Sequence, residues 1–477
     1  MQWLLLAVTF IITAILQRFA RATGTGGQLP VEARATLSLG LLLLAAYIAG
    51  TLAQRIRLPR IVGYLLAGFI SGPAWLRLIR VDELQALSVI STGALAVLAF
   101  AAGSMFTIDA FRGQRRGELL RVTAGATAIP LLLVTLVTLT VSAWFPLTAH
   151  QPFRDGLVVA LVLGAFAATA SPTITWAVIR DFHARSRGPL SRTVMDVSIV
   201  QTIGAAALLI VVLAFASVVA SDGAVVPGSS VRALLHLVGS AGTGAALGVA
   251  LAQYLRPASG PGPRPGSWSA GGMRVAWLLL GLAFIIAQIV RLTGLGAVVI
   301  GLTAGFTLRN WAPAAHERLN GELERCAVPV NVVFFSLAGA ALSFNSLDEL
   351  RLWPWAILLV ALRINGLRWG LQLAGRSWRG KSPVSADVSR YGWLGLVSQG
   401  GMAITLAAVL RSAFPEWNVS LEALLVAMIG CHALVGPICF QWALRRTGEV
   451  TERRGELDAP QTALVADRDS LATRVSR

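Results

Sequence analysis

Lysine occurs once in this chain, at Lys381, and cysteine three times, at Cys326, Cys431 and Cys439. The thiols lie in or beside apolar runs without metal-ligand spacing, which argues against a disulfide framework and a zinc site. Charge is scarce, with Asp, Glu, Lys and Arg making 13% of 477 residues. The five histidines, His150, His183, His236, His316 and His432, are dispersed, and no nucleophile, metal or phosphate motif stands out. Neither an enzyme nor a cofactor is expected.

What fills the chain instead is apolar sequence. Hydrophobic residues reach 55% and mean hydropathy is +0.69, a profile that excludes a soluble domain and makes the lipid bilayer the principal partner. About fourteen runs of roughly 17 to 30 residues each suffice to cross a ~30 Å hydrocarbon core as a helix. They lie near 3–19, 36–54, 59–79, 84–106, 118–145, 156–180, 193–220, 229–255, 274–292, 294–309, 327–345, 352–375, 390–412 and 419–444. The expected class is an all-α polytopic membrane protein.

A net charge of +17 would suit nucleic acid only if gathered on one groove or arm. Here it falls in short loops, so no nucleic-acid partner is expected. With the N-terminus inside, Arg55, Arg57 and Arg60, then Arg112, Arg115 and Arg116, then Arg180, Arg185, Arg187 and Arg192 share the inner side, as the positive-inside bias requires. The same alternation places the C-terminus in the cytoplasm. The first run lacks the basic n-region of a secretory signal and is read as a retained helix. The expected layout is an extra N-terminal helix and loop at 1–35, a first half at 36–255, a flexible Gly/Pro/Ser linker at 256–273, a second half at 274–444 and a short cytoplasmic tail at 445–477.

Arg363 stands near the middle of the run from Leu352 to Leu373, about 15 Å from either end and beyond easy snorkelling. A charge at that depth costs at least ~2.5 kcal/mol, which marks it for a buried pairing or transport role. Internal symmetry is also hinted at, because Ala67-Gly68-Phe69 returns as Ala304-Gly305-Phe306. Each opens a set of five runs, one starting inside and the other outside. Each set contains one run broken at its centre, at Thr169-Ala170-Ser171-Pro172-Thr173 and at Ser398-Gln399-Gly400-Gly401. Proline removes a donor and glycines weaken the helix, so freed carbonyls, amides and hydroxyls there can coordinate an ion.

The stretch from Arg57 to Gly68, ending in Gly72-Pro73, resembles the opening helix of monovalent cation:proton antiporters, in their bacterial sodium/proton and potassium-efflux branch. Ala168 to Val178 followed by Arg187 to Thr193, Gly294 to Gly305, Pro329 to Leu342, and Ser398 to Ala403 resemble further blocks of that family in order. The resemblance covers about residues 36 to 444. It implies an inverted-repeat fold of about 13 core helices, here with one extra at the N-terminus, in a homodimer of the bacterial inner membrane. It also implies a mobile core whose carboxylate alternately binds a proton and a cation such as Na⁺ or K⁺, with Arg363 matching the basic residue that stabilises this acidic region.

One departure matters. Gln201 matches the potassium-efflux branch, but Thr202 stands where the family carries its Asp, and a threonine does not titrate at physiological pH. Asp196 is the nearest acid, about 9 Å away along the helix and turned by about 120°, yet able to approach Arg363. The expected site is Thr169, Ser171, Thr173, Asp196, Gln201, Thr202, Arg363, Ser398 and Gln399, holding only the transported ion. The leading expectation is exchange of a monovalent cation for protons by alternating access. The alternatives are anion-coupled movement or uniport, and a transporter fold that serves as a sensor or scaffold.

Overall fold

The computed structural model describes residues 11, 31–73, 75–111, 114–149, 151–182, 188–220, 224–255, 270–342, 352–376, 384–414 and 417–450. The extra N-terminal helix, most of the linker and most of the tail lie outside the described residues. Those residues form sixteen α-helices and no strand, as hydrocarbon demands of a backbone that must satisfy its own hydrogen bonds.

The first half runs α1 (Val31–Arg55), α2 (Arg60–Ser71), α3 (Val81–Ala86), α4 (Ser88–Gly103), α5 (Gln114–Thr140), α6 (Phe153–Ala167), α7 (Pro172–Asp181), α8 (Pro189–Val219) and α9 (Ser229–Tyr254). The second runs α10 (Ala270–Thr293), α11 (Ala297–Trp311), α12 (Pro313–Ala341), α13 (Trp353–Gly375), α14 (Ala386–Gly395), α15 (Gly401–Ala413) and α16 (Asn418–Arg446). Every apolar run from residue 36 onward coincides with a helix or a consecutive pair. Among the described residues, seven spans are individually long and apolar enough to cross a membrane, with α6 and α7 counted together.

Hydrophobicity cannot hold these helices to one another in lipid, so close backbone packing does. Four segments of the form x-x-Ala-Gly do this in two reciprocal pairs. On α2 and α12, a β-carbon at Gly68 would collide with the Ser336 carbonyl, and one at Gly339 with the Leu65 carbonyl. On α4 and α11, a β-carbon at Gly103 would collide with the Leu302 carbonyl, and one at Gly305 with the Phe100 carbonyl. The first and second helices of one repeat thus meet the second and first of the other, as an inverted two-fold requires. Near that axis α5 packs on α13, the most extensive helix pair, with Gly125 and Gly370 mutually in contact.

Both centrally broken runs are broken in the structure. The first gap, residues 168–171, ends where Ser171 caps α7 by accepting from the Ile174 N–H at 3.3 Å, and Pro172 takes the first helical position, where its missing donor costs nothing. The second gap, residues 396–400, separates α14 from α15. A β-carbon at Gly400 would come within 2.6 Å of Ser171 Oγ, so glycine is required where the two gaps touch.

Beyond α16 the chain turns on Gly448, at φ +69°, and brings Glu449 back against α8. Its carboxylate accepts from the Leu190 N–H at 2.7 Å and the Ser191 N–H at 2.9 Å, a charged cap on the helix that carries Asp196, Gln201 and Thr202.

Candidate functional site

Four half-helix ends converge at the touching gaps. The ends of α6 and α14 present orphan carbonyls, and the guanidinium of Arg363, fully buried on α13, is inserted between them. Nε donates to the Ala167 carbonyl at 2.9 Å and one terminal nitrogen to Val397 at 2.6 Å. The other donates to Thr169 at 2.5 Å and to Leu396 at 3.0 Å. A cation at two helix C-termini is matched by their dipoles, and one side chain pins both breaks.

Arg363 therefore forms no ion pair with Asp196; carbonyl oxygens balance its charge. Asp196 lies buried on α8, 5% exposed.

The remaining expected residues are all buried, and most are joined around the crossing. Gln399, from the second gap, donates Nε2 to Thr169 Oγ1 at 2.8 Å and to the Phe166 carbonyl at 3.2 Å. Ser171 and Thr173 share a hydroxyl contact of 3.1 Å. Thr202 places its hydroxyl on the first gap, 3.3 Å from the Ala170 carbonyl, while also donating to Ser198 at 2.7 Å. Ser398 packs against Gly436 of α16, where no β-carbon would fit. Gln201 turns the other way, donating Nε2 to the Ala126 carbonyl on α5 at 2.9 Å.

Both glutamines spend their amide nitrogens and leave their oxygens bare. Gln201 Oε1 and Gln399 Oε1 are buried without a hydrogen-bond partner, as is the Thr175 hydroxyl one turn into α7. An unmet buried polar atom costs about 1–3 kcal/mol. Acceptor-only oxygens left in that state are the kind of group a desolvated cation satisfies. Thr175 was not anticipated, although its spacing of two from Thr173 was readable.

Two cavities lie along the half-helices that leave the breaks, and neither is lined by a residue of the gaps themselves. The wider, about 450 Å³, lies on the arginine-rich side and is lined by Arg60, Tyr64, Arg180, Asp181, Arg325 and Asn331. Here Asp181, at the end of α7, accepts from the Arg60 N–H at 2.7 Å and pairs with Arg60 Nε at 3.4 Å, tying α7 to the start of α2. The other cavity, about 60 Å³, follows α15 away from the break and includes Ser240, Met402 and Thr405.

Two broken helices crossing inside an inverted repeat, locked by a buried cation, define a membrane transporter fold. The chain belongs to the sodium/hydrogen exchanger transmembrane family, whose model matches residues 40–446, and so to a family of cation/proton exchange. The structure is similar to that of the sodium proton antiporter MjNhaP1 from Methanocaldococcus jannaschii, with a TM-score of 0.59 and 16% identity over 90% of this chain and 100% of that one. No curated protein sequence matches.

Proposed function

We propose that this protein exchanges a monovalent cation, Na⁺ or K⁺, for protons across a bacterial inner membrane by alternating access, as a homodimer with its C-terminus in the cytoplasm. The observation that carries this reading is the bare Gln399 Oε1 at the crossing, beside a fully committed Arg363. Bare oxygens favour a cation, and the hydroxyls of Thr169, Ser171, Thr173 and Thr202 can complete its shell.

Protons need a group that titrates, and Thr202 is not one. Asp196, six residues nearer the start of α8, takes that role in this reading. Proteoliposomes loaded with Na⁺ or K⁺ and reporting internal pH test it. Wild type moves protons when either cation is imposed, and Asp196→Asn abolishes that movement while cation binding persists. Normal exchange by Asp196→Asn would remove Asp196 from the mechanism.

A second reading has one observation in its favour. The N-terminal ends of α7 and α15 converge where the family carboxylate is replaced by Thr202, and helix N-termini attract anions. The same vesicles under a Cl⁻ gradient separate the two: flux that follows Cl⁻ and ignores Na⁺ and K⁺ would replace cation exchange with anion movement.

A further inference from the structure

Away from the crossing, on the outer wall of the half that carries Arg363, lies a cavity of about 370 Å³ bounded by α13, α14 and α16. Arg368, Arg390 and Arg446 line it, and no carboxylate does. None of the three forms an ion pair among the described residues. Asp387 sits one turn before Arg390 on α14, also without an ion pair. The walls are aromatic. Tyr391 and Trp442 meet edge to face at 5.8 Å, Arg390 lies over the Tyr391 ring at 5.3 Å and Arg446 over the Trp442 ring at 5.1 Å. Trp393 completes the rim, its indole N–H given to the Arg390 carbonyl at 3.0 Å.

Position gives these features a meaning. Arg390 is near the start of α14, and Arg446 is the last residue of α16, among the arginines of the inner side. Arg368 is deeper, only five residues from Arg363 or about 7.5 Å along α13. It is exposed on the surface of the protein, so lipid surrounds its stem. A guanidinium at that depth without a counter-charge is costly, and snorkelling carries its head toward the interface where Arg390 and Arg446 wait. Tyr and Trp are the residues that settle at headgroup level.

We propose that this pocket binds the phosphate headgroup of an anionic phospholipid of the inner leaflet. The phosphodiester supplies the negative charge that no described residue of the lining provides, accepting hydrogen bonds from the three guanidinium groups. The acyl chains run along the exposed faces of α13 and α16, beside Trp369 and Trp442. Lipid held there braces α13 five residues from Arg363 and α14 just ahead of the second gap.

The test uses the full-length protein, stripped of lipid in a non-ionic detergent. Binding is read by native mass spectrometry with phosphatidylglycerol, phosphatidylcholine or inorganic phosphate. Phosphatidylglycerol is expected to bind in preference to phosphatidylcholine. Arg390→Gln and Arg446→Gln, both at exposed positions, should each weaken it about fivefold, and Arg232→Gln on the distant α9 should not. Equal binding of phosphatidylcholine, or undiminished phosphatidylglycerol binding in both variants, overturns the proposal. Inorganic phosphate that displaces phosphatidylglycerol at similar concentration also overturns it, because the site would then belong to a free anion.

Discussion

Gln399 of the second gap gives its amide nitrogen to Thr169 Oγ1 of the first, at 2.8 Å, and keeps its oxygen unshared. One side chain thereby joins the two breaks and contributes a bare acceptor to the space between them. Gln399→Leu removes the Nε2 donor and the unmet Oε1 together, so stability should change by no more than about 1 kcal/mol. It should also weaken the protection that Na⁺ or K⁺ gives against thermal unfolding. Thermal melts of purified protein with and without each cation check both effects, and unchanged cation protection in the variant would place the ion elsewhere.

Arg363→Met leaves four buried carbonyls without their donor, and a loss of at least ~3 kcal/mol is expected, enough to impair accumulation of folded protein. Arg363→Lys keeps the charge, but its compact ammonium has three donors and no fork. It should therefore fall between wild type and Met in melting temperature. A Lys variant no better than Met would mean that guanidinium geometry outweighs charge.

Thr202→Asp puts a titratable group at the position where the resemblance to cation:proton antiporters implies one. Cation-driven proton movement should rise above wild type in proteoliposomes, and Thr202→Val should not raise it. An Asp variant with no gain would favour rewired ion chemistry or a non-transporting role.

At Gly305 a side chain has nowhere to go, since the Phe100 carbonyl of α4 occupies its place. Gly305→Val is expected to cost about 1–3 kcal/mol or more by overpacking. Gly281→Ala on α10, where a β-carbon meets nothing, should be neutral or gain up to ~1 kcal/mol of helix propensity. Size-exclusion profiles and melting temperatures of the pair are the comparison.

Removing the cap at Glu449 tests whether the turn after α16 holds α8. Glu449→Ala strips a carboxylate from two N–H groups, and about 1–2 kcal/mol should be lost. Amide hydrogen exchange at residues 190–193 should quicken before the rest of α8 does.

Much of this arrangement is legible in the sequence, because it is written in side-chain chemistry. Pro172 and Gly400-Gly401 announce breaks, Arg363 announces a buried charge, and runs of Leu, Val and Ala announce helices. What stayed hidden depends on groups every residue shares. The partners of Arg363 are backbone carbonyls, which leave no trace in a sequence, so an acidic partner such as Asp196 was the natural guess. Glu449 was read as part of a tail because its target lies 258 and 259 residues away. Thr175 looked like another polar residue of a helix until its hydroxyl proved to have no donor or acceptor to meet.

The four x-x-Ala-Gly segments, paired in two crossings, say something about symmetry as well as packing. What the two halves hold in common there is an Ala-Gly pair, with no β-carbon where the backbones meet at Gly68, Gly103, Gly305 and Gly339. Two halves with little else alike in sequence can therefore clasp each other in the same way at both crossings.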